Sequence, residues 1–218
     1  EEFQAHLAAN PDDAPAFESN FTVIERKDGK LVAVPYSEAY KADLDQAAAL
    51  LREAADLSEN ATVADYLRKR ADAFASNDYY ESDIAWMDMT DHRIEVVIGP
   101  YEVYEDALFN YKAAFEAFVT VVDPDMSAEL LKIADYLVDM EKNLPIPEEH
   151  KNFNRGLDSP TIVADEVFSG GDTKAGIQTL AFNLPNDERV REAKGSKKVM
   201  LRNVGHAKFN KCYTPIAA

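Results

Sequence analysis

The sequence has few of the residues from which reactive sites are commonly assembled. It holds one cysteine, Cys212, so no disulfide can close within its 218 residues, and the residue says little about compartment. The four histidines, His6, His92, His150 and His206, lie far apart. None forms a His-Glu-x-x-His or another close pair that would set two imidazoles on one helical face, so they read as surface histidines and the chain carries no zinc site of its own. No Gly-x-Ser-x-Gly element is present to supply a nucleophile. The Ser169-Gly170-Gly171-Asp172 run lacks the Lys-Ser/Thr of a Walker loop and reads as a tight turn. No apolar run approaches the roughly 18 residues of a membrane helix, and no signal peptide opens the sequence. Basic residues are the minority, 23 against 40 acids, and the formal charge of −17 argues against a nucleic-acid partner.

What is there suits a globular chain: 46% hydrophobic and 10% aromatic residues are enough for a core in one domain or two small ones. Basic residues do gather near the end, at Arg189, Arg191, Lys194, Lys197, Lys198, Arg202, Lys208 and Lys211. That patch can face an acidic region of the same protein or a part outside this sequence. The opening EEFQAHLAAN has no initiator Met and reads as a helix already under way, and YTPIAA closes without a polar tail. Both ends read as cut, so a portion of a longer protein is expected. The expected compartment is the cytoplasm, with a leader removed ahead of Glu1 left open.

Periodicity predicts the elements. Phe21–Ile24 and Leu31–Val34 flank Lys27-Asp28-Gly29-Lys30, a β-hairpin signal. Ser37 offers a cap to a helix with Tyr40, Leu44, Ala47, Leu51 and Ala54 on one face, and a second helix from about Thr62 carries Val63, Leu67, Ala71 and Phe74. Asn77 to Asp83 reads as a connector. Ile94 onward alternates like a strand, breaks at Gly99-Pro100, and passes into a helix with Leu108, Tyr111, Phe115, Phe118, Val119 and Val122 on one face. One helix is expected over Met126 to Asn143, capped by Ser127 and lined by Leu130, Ile133, Leu137 and Met140, with Pro145 and Pro147 ending it and a loop following through Asn152 to Pro160. Strands are expected at Thr161–Phe168, Ala175–Phe182 and Lys198–Leu201, a turn at Gly170–Asp172, and helices at Asp187–Ala193 and Asn203–Lys211. Helices and strands do not alternate strictly, so the fold class is α+β, helices packed with a mixed β-core. The expected division is 1–92, a hairpin and helical region, and 93–218, a β-core with helices.

Two constellations could carry function. Glu102 and Tyr104 stand two apart at the end of the expected strand, which would aim a carboxylate and a phenol to one side. The acid could pair with a free α-ammonium and the phenol donate to a carbonyl or an oxyanion, or the pair could simply face solvent. Glu102 with Glu105 and Asp106 could instead serve acid/base chemistry, although a chain this acidic produces such neighbours by chance. Asn183 and Asn186 flank Pro185, and two amides on a rigid turn suit gripping a peptide main chain or else mark a turn and a helix cap.

Three blocks, IGPYEVYEDALFNYKAAFEAF, VADEVFSGGDTKAGIQTLAFNLPNDERV and GSKKVMLRNV, resemble the bacterial branch of the dipeptidyl peptidase III family of zinc metallopeptidases. The likeness runs from about Ala16 to Ala217. It implies a two-lobed peptidase with a wide cleft that releases dipeptides from the N-termini of short peptides. It implies that Glu102 anchors the substrate's free amine, that Tyr104 assists at the scissile carbonyl, and that Asn183 and Asn186 hold the peptide main chain. The segment from Ala175-Gly176 to Asn183 is longer than in the eukaryotic pattern, which leaves open which of Ile177 to Phe182 form the edge strand that takes the substrate. The family's His-Glu-x-x-Gly-His helix and its later Glu ligand do not occur here. The resemblance therefore implies Zn2+ in the full-length enzyme with its ligands beyond Ala218, none bound to this chain, and no hydrolysis by the chain alone. Its partners would be short peptides and the remainder of its own chain. The rivals are a complete, metal-free peptide-binding protein and a metal-independent hydrolase using Glu102 with Glu105 or Asp106.

Overall fold

A computed structural model describes residues 1–104, 106–134, 136–151, 160–175 and 178–217. The chain divides into two units that interleave in sequence. The first holds Glu1–Thr90 and Ile98–Glu116, and the second holds Asp91–Val97 and Ala117–Ala218.

The first unit is mainly helical, with α1 (Glu2–Ala9), α2 (Ala14–Phe17), α3 (Tyr36–Ala39), α4 (Lys41–Leu57), α5 (Ala61–Ser76) and α6 (Tyr80–Met87). The expected hairpin is present as β1 (Thr22–Lys27) and β2 (Lys30–Pro35), with Lys27 opposite Lys30. Asp28 and Gly29 both take positive φ, 51° and 77°, as a two-residue turn matched to strand twist requires. Asn60 starts α5: its Oδ1 accepts from the N–H groups of Thr62 and Val63 at 2.9 and 3.1 Å. Val63, Leu67, Ala71 and Phe74 are buried as their spacing predicts. Ser37 does not cap α4; it lies inside the single turn of α3, and Tyr40 stands at the α4 start without a side-chain cap. The buried stripe of α4 is Leu44, Leu51 and Ala55. The connector expected at 77–83 is largely helix, because α6 begins at Tyr80 and buries Ser82, Asp83, Ala85 and Trp86.

Two strands, β3 (Ile94–Glu102) and β4 (Ala114–Val122), each run through both units. The helix expected after Glu102 is therefore a strand. Spacings of three and four between Phe115, Phe118, Val119 and Val122 suit a helix, but the Phe-Val-Thr-Val-Val run is stiff at Cβ and favours extended backbone. Burial then follows period two, with Glu116, Phe118 and Thr120 inside. Phe109 and Asn110, both near φ 60°, turn the chain between the strands. Nor does β3 break at Gly99-Pro100. It is the first strand in the sheet order, so Pro100 needs a ladder partner on one side only.

The second unit continues with α7 (Pro124–Ala134), α8 (Leu137–Lys142), β5 (Thr161–Gly171), α9 (Asp172–Ala175), β6 (Ala181–Leu184), α10 (Glu188–Lys194), β7 (Lys197–Leu201), α11 (Arg202–Lys208), a π-helical turn at Phe209–Tyr213, and α12 (Thr214–Ala217). The helix expected over Met126–Asn143 is two. It starts on Asp123, whose Oδ1 accepts from Met126 N at 2.9 Å, while Ser127 sits one turn in and donates to Asp123 O. The stripe drawn through Ile133 and Met140 is about half exposed rather than buried. The loop expected from Asn152 falls on residues outside those described.

The five-stranded sheet has the order β3-β4-β5-β7-β6, with β5 parallel and β6 antiparallel to β7. The fold is α+β with a mixed sheet, as expected. Phe118, Val163, Ala164, Val190, Val199 and Leu201 are buried in this unit.

Candidate functional site

Glu102 ends β3 and is half-buried; Tyr104 lies beyond the strand in a bend, 76% exposed. The two therefore do not share a strand face. The Glu102 carboxylate accepts the backbone N–H of Tyr104 at 2.9 Å, a local bond that turns the chain and competes with further extension. Among the described residues the second Glu102 oxygen has no hydrogen-bond donor. Asp106, half-buried, accepts from the N–H of Lys112 at 3.4 Å, and Glu105 lies outside the described residues.

The return limb of this bend is firmly tied. The Lys112 ammonium donates to Phe17 O, Ser19 O and Thr22 Oγ1 at 2.6, 2.7 and 2.8 Å. Burial pulls that ammonium below the usual lysine range. Ala113 donates to Asn20 O and accepts from the Tyr36 hydroxyl, and the Phe109 and Tyr111 rings lie 5.9 and 6.1 Å from Phe3.

Below the bend, sequence reading missed a charged core. Arg70 on α5 is fully buried and donates to Asp83 Oδ1 and to the Tyr101 hydroxyl, each at 2.5 Å; that hydroxyl donates to Asp83 at 2.7 Å. The guanidinium lies 5.6, 5.2 and 5.3 Å from the ring centres of Tyr66, Tyr79 and Tyr101. Burial opposes the Arg70 charge, but Tyr101, Tyr66 and Asp83 outweigh it and hold the group above its ordinary value; burial pushes the Tyr101 phenol well up. A Cβ at Gly99 would stand 2.6 Å from Arg70 Nη1, so the glycine makes room for the guanidinium. The signal was available: Arg70 falls on the same helical stripe as Leu67, Ala71 and Phe74.

Asn183 and Asn186 belong to the second unit. Asn183 is exposed on β6, opposite Lys198 of β7, while its neighbours Phe182 and Leu184 turn inward on the other face. Phe182 stacks on Phe118 at 4.8 Å. A cis Leu184–Pro185 bond carries the chain to the exposed Asn186. Asp187 caps α10 by accepting from Arg189 N at 2.9 Å, and the Arg189 side chain holds its carboxyl below the usual range. Among the described residues β6 is the last strand in the sheet order and pairs with β7 alone. The expected strand at 175–182 is shorter and later, since 176 and 177 lie outside the described residues and the strand begins at Ala181.

A second buried charge sits on β3. Glu95 bonds His92 Nε2 at 2.6 Å and lies 3.5 Å from the Lys197 ammonium. With its side chain only 6% exposed, His92 is not the surface histidine expected. The basic patch is balanced locally: Arg189 pairs with Asp187, Arg191 with Glu188, and Arg202 with Asp123 and Asp165. Among the described residues no group of three or more His, Cys, Asp or Glu could hold a metal ion.

The family model that matches is described as peptidase family M49 and covers residues 1–217. A solved structure of DPP III from Caldithrix abyssi is similar over 99% of this chain and 41% of its own, with 67% identity and a TM-score of 0.93. The dipeptidyl-peptidase III of Corallococcus sp. strain EGB covers 99% of this chain and 40% of its own, at 47% identity and a TM-score of 0.87. An Arabidopsis thaliana protein named Nudix hydrolase 3 is 41% identical over 209 residues, 96% of this chain. The chain spans about two fifths of the two solved chains and 27% of the Arabidopsis protein. From the match of its nearly whole length, this chain belongs to peptidase family M49.

Proposed function

We propose that this chain is the N-terminal, substrate-binding portion of a zinc-dependent exopeptidase that removes dipeptides from peptide N-termini, with the peptide-gripping segments in residues 93–218. The observation that carries the reading is β6, a short edge strand with Asn183 exposed and, on the opposite face, Leu184 buried and Phe182 half-buried. A peptide adding to such an edge gains main-chain hydrogen bonds, and the Asn183 and Asn186 amides can donate and accept at once. Glu102 is the anchor for the substrate's α-ammonium, aimed by the bond it accepts from Tyr104 N. Tyr104, exposed beside it, donates its phenol to the scissile carbonyl as negative charge develops there. Glu102 and Asp106 each accept from a backbone N–H, and no observation favours pairing them for metal-independent hydrolysis.

The donor set of the described residues does not fit zinc, and we infer that the zinc ligands and the general base belong to the rest of the peptidase. No helix among the described residues is long and apolar enough to cross a membrane. Short peptides and the rest of its own chain are the partners we infer, and the cytoplasm the compartment. The Nudix name belongs to a protein of which this chain covers only 27%.

The test is Glu102→Gln in the full-length peptidase. A charge-assisted bond of ~1.5–3 kcal/mol predicts a rise in KM of about 10- to 100-fold for peptides with a free amine. N-acetylated peptides should change little. Equal effects on both substrate classes would remove Glu102 from the anchor role.

A further inference from the structure

Hydrogen bonds from two elements converge on Gln178, three residues ahead of β6. Its Nε2 donates to both carboxylate oxygens of Glu166 on β5, at 2.9 and 3.2 Å. Its carbonyl accepts from the Lys208 ammonium of α11 at 2.5 Å. Glu166 is itself fixed by Asn203, whose Oδ1 accepts from Glu166 N at 2.9 Å and whose Nδ2 donates to Glu166 O at 2.8 Å. Next in the chain, Thr179 meets the Thr173 hydroxyl, and Leu201 N donates to Leu180 O at 2.9 Å. Residues 178–180 form no strand or helix, yet β5, β7, α9 and α11 all hold them. Gln178, Glu166 and Lys208 are half-buried, so water competes with these bonds less than at the open surface.

We propose that Gln178, Glu166 and Lys208 are positioning residues that set the path of the chain into β6 and keep its outer edge ordered before a peptide arrives. The proposal rests on the reading of β6 as the peptide-binding edge. A four-residue strand with one ladder partner has little to hold its own register. If loose, it must be ordered at the moment of binding, and that entropy is subtracted from affinity. Anchoring the lead-in residues removes the cost without touching the bond being broken, so the effect belongs in KM and not in kcat.

The experiment compares Lys208→Met, Lys208→Arg, Gln178→Leu and Asn183→Ala in the full-length peptidase, with steady-state kinetics on a free-amine peptide and hydrogen exchange of residues 179–184. Loss of one half-buried anchor predicts a KM raised about 5- to 20-fold with kcat within about twofold, together with faster exchange in 179–184. Lys208→Arg should restore most of both. Gln178→Leu removes only the side-chain anchor and keeps the test open if Lys208→Met fails to fold. A loss confined to kcat, or an unchanged KM where Asn183→Ala raises it, overturns the positioning role and leaves the β6 reading intact. An unchanged KM in all of the variants, Asn183→Ala included, overturns the β6 reading and this proposal with it.

Discussion

Arg70 is fully buried, yet its charge is answered on several sides, by the Asp83 carboxylate, the Tyr101 hydroxyl and three aromatic faces. Such a pair adds little net stability over apolar residues of the same volume, but breaking it strands a charge in the core. Asp83→Asn should therefore lower the unfolding free energy by about 3–5 kcal/mol in urea titrations. The double variant Arg70→Met/Asp83→Leu should recover a large part of that loss, because neither charge is then left alone. A double variant as unstable as the sum of its single changes would show that the cluster is held by something other than charge balance. Arg70 and Glu95 both interrupt patterns of apolar residues, on a helix and a strand respectively. Each was visible as a charge at a core position, but not all of its partners were: Asp83 stands 13 residues from Arg70, and Glu95 has, besides its neighbour His92, the ammonium of Lys197, 102 residues away.

Among elements, local chemistry separates those that sequence could define from those it could not. The β1–β2 hairpin was legible because Asp28-Gly29 supplies a positive-φ pair, and α5 because its apolar stripe is regular. Its cap is equally local, since Asn60 accepts from the N–H groups of Thr62 and Val63, while the same side chain also donates to the distant Thr90 O at 2.8 Å. Asn60→Ala should lower stability by about 1–2 kcal/mol, and Asn60→Asp, which keeps the acceptor, should lose less. Chemical denaturation of both variants checks this, and equal losses would deny the cap its share. β4 was illegible because Phe115, Phe118, Val119 and Val122 satisfy helical spacing as well as they tolerate extension. Strand pairing, a contact between distant residues, settled the choice. The candidate site divides the same way. The Asn183/Asn186 segment could be found from residue types, whereas its place on an edge strand followed from sheet order.

At the scale of the whole molecule, the proposed binding residues fall in two units, Glu102 and Tyr104 in the first and Asn183 and Asn186 in the second. Neither unit, among the described residues, holds a metal-ligand cluster. The purified 218-residue chain should accordingly carry far less than one zinc per molecule by atomic emission after dialysis, and should release no dipeptide from a chromogenic substrate with zinc added. One tightly held zinc per chain, or turnover, would overturn the view of this chain as the binding portion alone. The charge of −17 leaves room for basic residues to act locally, since Arg189, Arg191 and Arg202 are each matched by acids of the same unit.

The order of residues was enough to establish family membership, the mixed helix-and-strand class, the β-hairpin and the main helices of the first unit, and to propose the residue types of the candidate site, because motifs, turn chemistry and apolar period are all local properties. Long-range contact determined that 114–122 is a strand and that Arg70 and Glu95 can be buried. In each case the free energy depends on partners brought together by folding: a ladder across the sheet, an opposite charge, or a ring face that no window of sequence contains.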